Sequence, residues 1–209
     1  MNKALIALFA LVLLTPSAFA LPAMQLYIPG ATYDLGTETW VINASNFELW
    51  LVTAYTDTKP LYGVRLVAAL AGGDVPVDGG LTIGSTTFLA SDFEYGIPPS
   101  FKGRRSMPRH GIFPTNYAEF YVGDVWDAPD IVENMQPGED GTGPGKIFKY
   151  QVSTSYDFVH FDAYGYYDPY RFKFAPFSHD AEYVVPEPTT VVLLGMGLIG
   201  AGLIRRRKK

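Results

Sequence analysis

The stretch "YGVRLVAALAGGDVPVDGGLTIGSTTF", residues 62–88, decides the fold class. In its first third, Val64, Leu66, Ala68 and Leu70 fall on one side of an extended chain, because successive side chains of a strand point to opposite faces. "AGGDVPVDGG", residues 71–80, then concentrates Gly, Asp and Pro, the residues that punctuate turns, before a second strand-like run from Leu81 to Phe88. The reading is two strands joined by a turn-rich connection.

Working outward, the same period of two recurs. Phe47, Leu49 and Leu51 share a face of one segment, and further runs lie at Tyr117 to Val122, Phe148 to Val152, Val159 to Tyr167 and Ala181 to Val185. No body segment keeps a helical period with caps, and Pro and Gly recur too often for long helices. The expected fold is all-β, an antiparallel β-sandwich of jelly-roll-like or Ig-like type. No internal repeat suggests a solenoid or propeller. Two long loops are expected, a basic one over residues 93–116 and an acidic one over residues 122–146.

The two ends read differently. Residues 1–20, "MNKALIALFALVLLTPSAFA", combine Lys3, an apolar stretch from Ala4 to Leu14 and a small-x-small cleavage site. They are a secretory signal peptide, cut by signal peptidase between Ala20 and Leu21. Residues 21–184 form one extracytoplasmic β domain. Residues 185–209 carry Pro186-Glu187-Pro188, an apolar helix over 189–204 interrupted by glycines, and the basic tail Arg205 to Lys209. The uninterrupted apolar run from Val191 to Ile204 rises only about 21 Å as a helix, short of a bilayer core of about 30 Å. Such a helix can hold a chain in the membrane for a time and is poorly built to stay.

Between Leu21 and Pro188 the chain keeps all 21 acidic residues, while six of its 16 basic ones lie outside, so the body is strongly acidic. That balance argues against nucleic acid as a partner. Cysteine is absent, which removes disulfides and thiolate metal sites and leaves packing as the source of stability.

Four groups of residues carry chemistry worth weighing. Asp124, Asp127, Asp130, Glu133, Glu139 and Asp140 supply the oxygen ligands that calcium takes, but without the spacing of an EF-hand loop, so a solvated acidic loop is expected and calcium is the alternative. No other cofactor is expected. Lys102, Arg104, Arg105, Arg109 and His110, flanked by Phe101, Phe113 and Tyr117, form a basic, aromatic-edged cluster suited to an anionic extracellular polysaccharide, against the plainer reading of solvated charges. His160 and Asp162 share one strand face and suit zinc or a catalytic relay, but the expectation is a polar, solvent-facing side of a strand. Ser178-His179-Asp180 are neighbours in sequence, point in different directions and cannot make a nucleophile-base-orienter chain. No G-x-S-x-G elbow or phosphate-cradling glycine loop is present, so no enzyme is expected.

Pro186-Glu187-Pro188, the glycine-containing apolar helix and the terminal Arg/Lys cluster, in that order, resemble the PEP-CTERM sorting signal of Gram-negative bacteria. That resemblance implies an exosortase as the processing enzyme, an inner-membrane intermediate, delivery to the cell surface or extracellular matrix, and association with exopolysaccharide and biofilm. The body resembles choice-of-anchor domains of the N type through "MQLYIPGATYD" (residues 24–34), "HGIFPTNYAEFYVGD" (residues 110–124) and "FAPFSHDAEY" (residues 174–183). The two resemblances together imply an exported, non-enzymatic surface protein. A carbohydrate-binding or calcium-dependent adhesive module is the alternative.

Overall fold

A computed structural model describes residues 21–55, 59–99, 107, 112–168 and 171–185. The signal peptide and its Ala20, the basic cluster Lys102, Arg104, Arg105, Arg109 and His110, the triplet Pro186-Glu187-Pro188 and the helix expected over 189–204 lie outside the described residues. Among the described residues no helix is long and apolar enough to cross a membrane.

Fourteen strands among the described residues form two sheets. The first, sheet A, is ordered β1 (Met24–Tyr27), β4 (Asn46–Ala54), β11 (Thr142–Thr154), β6 (Gly80–Ile83) and β7 (Thr86–Leu89), with β10 (Asp130–Glu133) also against β11. The second, sheet B, is ordered β2 (Thr32–Asp34), β3 (Thr39–Ile42), β14 (Asp180–Val184), β12 (Phe158–Tyr166), β5 (Leu61–Ala69), β9 (Thr115–Val125) and β8 (Glu94–Gly96), with β13 (Phe172–Phe174) beside the far end of β12. The all-β expectation holds. One detail differs: β14 runs parallel to β3, so sheet B is mixed.

The alternation read from the sequence sets the core. Phe47, Leu49 and Leu51 of β4 meet Val64, Leu66 and Ala68 of β5 and Val159, Phe161 and Ala163 of β12, all buried in one cluster. Fully burying a large apolar side chain contributes about 1.5–3 kcal/mol. The Gly/Asp/Pro connection over residues 71–79 carries the chain from β5 in sheet B to β6 in sheet A. The run from Leu81 to Phe88 is itself two strands, because Gly84 with φ +59° turns the chain back between β6 and β7.

Both expected loops contain strands. Asp130–Glu133 pairs with Thr142–Gly145, so much of the acidic segment is a β-hairpin. Sequence alternation is weak there because β10 shows a single buried residue, Val132. In the basic segment, β8 pairs with Thr115–Tyr117, and Met107 and Phe113 pack with Val67, Ala69, Tyr117 and Tyr164 on the outward face of sheet B. This second, smaller layer gives sheet B two buried faces near its centre.

Candidate functional site

β12 alternates between those two faces. Val159, Phe161 and Ala163 point into the sandwich, and His160, Asp162 and Tyr164 point outward. The expected solvent-facing side is nevertheless buried, with His160 5% exposed and Asp162 0%. Period-two alternation identifies which residues share a face and cannot show whether another layer covers it. The expectation of a solvated His160 and Asp162 is corrected on that ground.

Sheet register then adds two carboxylates. In the antiparallel pairing of β12 with β14, Glu182 stands opposite His160, and continuing the register places Asp180 opposite Asp162. His160 Nδ1 lies 2.8 Å from Glu182 Oε1, and its Nε2 lies 3.5 Å from Asp180 Oδ2. Asp162 Oδ1 accepts a hydrogen bond from the Ala163 N–H at 2.6 Å. One ligand atom from each of His160, Asp162 and Asp180 falls within 4.8 Å of the others. A cleft of about 580 Å³ reaches this cluster, with Thr37, Thr39, Phe158 and Phe177 among its walls.

The electrostatics follow from this crowding. Burial alone would lower the pKa of His160, but pairing with Asp180 and Glu182 and the charges of Asp180 and Asp162 raise it to about 10. Burial, and then the neighbouring charge of Asp162, push Asp180 well above the usual carboxylate range.

Ser178, His179 and Asp180 divide between two networks. Asp180 faces His160, whereas His179 Nε2 lies 2.8 Å from Asn134 Oδ1 and its Nδ1 lies 2.9 Å from Ser178 Oγ. The three residues do not line up as one chain, although the adjacent pair Ser178 and His179 does meet. Burial lowers the pKa of His179 and favours its neutral ring. One consistent arrangement has Nε2–H donating to Asn134 and Nδ1 accepting from the Ser178 hydroxyl.

The carboxylates of the acidic segment do not gather. Asp124 Oδ1 accepts from the Gly63 N–H at 2.8 Å, and Asp130 Oδ2 accepts from the Ile147 N–H at 3.0 Å. Lys146 donates to Asp127 at 2.7 Å, which lowers the Asp127 pKa. Asn134 Nδ2 donates to Glu139 at 2.8 Å, and Asp140 is exposed. Asp124 thus ties β9 to β5, and Asp127, Asp130 and Glu139 bond within or beside the hairpin; among the described residues the metal-ligand grouping is His160, Asp162 and Asp180.

A second surface feature shares the outward side of sheet B. Trp126, just past β9, meets Tyr62 of β5 edge-on at 4.9 Å; Tyr62 stacks on Tyr166 of β12 at 6.1 Å, and Tyr166 meets Phe172 of β13 at 5.9 Å. The Tyr166 ring occupies the space that a Cβ on Gly63 would take, and Gly63 has φ +54°, so only glycine suits that position. Trp126 and Tyr121 are largely exposed, and the Arg65 guanidinium lies 5.1 Å from the Tyr121 ring centre. This file of rings was missed in the sequence, because its members lie on four separate elements.

Beyond β14 the composition changes to the triplet, the apolar run and the basic tail. Residues 184–208 match the family described as "PEP-CTERM protein-sorting motif". The chain carries a PEP-CTERM sorting motif. The motif marks it as a target of an exosortase-type sorting system, and thus as an exported protein held transiently at the membrane before surface exposure. The match begins at the last residue of β14, so the sandwich and the sorting motif are nearly contiguous. No curated protein matches the chain. A solved structure described as "AvmM Catalyzes Macrocyclization in Alchivemycin A Biosynthesis" is similar at 10% identity, with a TM-score of 0.36, over 81% of this chain and 92% of its own. A likeness of that size carries no argument about fold or chemistry.

Proposed function

We propose that this protein is a non-enzymatic module of the cell surface or extracellular matrix of a Gram-negative bacterium, associated with its exopolysaccharide or biofilm. The observation that carries the reading is the junction of fold and motif. β14 ends at Val184, the Val185 N–H donates to the Asp157 carbonyl at 2.9 Å, and the sorting triplet begins at Pro186. Cleavage near the triplet would remove no described strand. The resemblance of the body to choice-of-anchor domains supports the same reading.

Mass spectrometry of surface-extracted protein tests it, using a host with and without its sortase. The expected result is loss of Arg205 to Lys209 only where the sortase is present. Recovery of the intact tail in both hosts overturns the processing step.

A carbohydrate-binding role is the second reading, and the ring file of Trp126, Tyr62 and Tyr166 favours it. Exposed aromatic faces offer a large contact area at small entropic cost, and the neighbouring Arg65 supplies a cation for acidic sugars. A glycan array comparing the wild type with Trp126→Ala tests this role. Equal binding by both proteins, or none by either, removes it.

A further inference from the structure

We propose that His160, Asp162 and Asp180 form a centre for a divalent transition ion of the zinc class, oriented by Glu182. The inference does not rest on the sorting or surface role. Its basis is the donor set, the spacing of the donor atoms and access from the cleft.

The donor set is one imidazole and two carboxylates, in a chain without cysteine. Imidazole nitrogen favours zinc and its transition-metal neighbours, whereas calcium takes oxygen ligands. Glu182 Oε1 sits 2.8 Å from Nδ1, so it can hold the proton on that nitrogen and leave Nε2 facing Asp180. This carboxylate-imidazole arrangement is the common way in which a ligating histidine is fixed in orientation and tautomer.

The spacing agrees. Nε2 and Asp180 Oδ2 make an ion-pair contact at 3.5 Å. With bonds of about 2.0–2.1 Å, neighbouring ligand atoms of a tetrahedral site are about 3.3–3.4 Å apart. All three donor atoms lie within 4.8 Å of one another, close to that spacing. The strands fix the rest, since β12 and β14 are hydrogen-bonded neighbours inside sheet B. Three protein ligands leave a fourth position open, and the cleft walled by Thr37 and Thr39 brings water or a small anionic ligand to it.

The test uses the purified full-length chain, stripped with chelator and then dialysed against zinc at micromolar concentration. The expected result is about one zinc per chain, as in structural and catalytic mononuclear sites. Cobalt in its place should give the visible absorption of a four-coordinate site, with an imidazole nitrogen detected by X-ray absorption. Glu182→Gln should weaken zinc binding by about 10–100-fold, the usual cost of losing a partner of a ligating histidine. Asp162→Asn with Asp180→Asn should abolish binding, while the metal-free melting midpoint stays near or above that of the metal-free wild type. The proposal is overturned if the wild type retains no zinc, if the double variant binds it as the wild type does, or if the bound metal shows no imidazole. Should the double variant fail to fold, the wild-type spectrum alone decides.

Discussion

His179 and Asn134 are hydrogen-bonded at 2.8 Å, and each directly adjoins a strand of a different sheet. His179 ends a single 3-10 turn before β14, and Asn134 follows β10, so the contact fastens the edge hairpin of sheet A to sheet B. Asn134→Ala leaves a buried imidazole nitrogen without its partner, at a cost of about 1–3 kcal/mol. The fall should appear as a lower urea midpoint with unchanged slope, and Asn134→Asp, which keeps an acceptor, should restore part of it. An unchanged midpoint in Asn134→Ala would show that the latch contributes nothing.

Gly145 lies between two strands, opposite Ala54 of β4 and Asp130 of β10. A Cβ there would run into the Thr53 carbonyl and the Val132 side chain. Gly145→Ala should therefore destabilise by about 1–3 kcal/mol, the usual cost of overpacking. Gly72→Ala, where a Cβ meets nothing, is the matched control, and equal melting of the two variants would refute the steric account.

Phe161 is fully buried and meets Phe47 edge-on at 5.9 Å, whereas Trp126 is 60% exposed. Phe161→Ala should cost about 3–5 kcal/mol. Trp126→Ala should stay within about 0.5 kcal/mol, as surface changes usually do. Chemical denaturation of both variants measures the contrast.

The Tyr117 hydroxyl donates to Glu94 at 2.8 Å. Burial first, and then this bond, raise its pKa above the ordinary phenol value, and burial likewise pushes Tyr33 up to about 12. A raised folded pKa means that the stabilising neutral phenol is fully present below about pH 10, where the unfolded chain titrates, and is lost as pH rises through the folded value. Stability should decline in that alkaline window, and Tyr117→Phe should show a shallower decline. Identical slopes would remove Tyr117 from the account.

β14 contributes the buried residues Ala181 and Tyr183 and pairs with both β3 and β12. A chain ending at Val185 should melt as the full chain does, and one ending at Asp180 should lose its cooperative transition, read by circular dichroism. Cooperative melting of the shorter chain would show that β14 is dispensable.

The core strands were legible because β4, β5 and β12 each turn alternate apolar residues into the sandwich, which the period of two records directly. β10 was not, since its neighbours Ile131 and Glu133 are exposed and only Val132 is buried. His160 and Asp162 were correctly placed on one face, but residues beside His160, such as Thr37, Thr39 and Ile112, come from distant parts of the chain, which a local pattern does not show. Asp180 and Glu182 join them only through register, which no local pattern states. Asp127, Asp130 and Glu139, close in sequence, bond to Lys146, Ile147 and Asn134 respectively and do not converge on one point.

β14 lies between β3 and β12, both earlier in the chain, and the sorting motif starts at its last residue. Sheet B cannot close until the final stretch before the motif has left the export channel. The last strand to join sheet B and the sorting motif therefore follow one another directly in the chain.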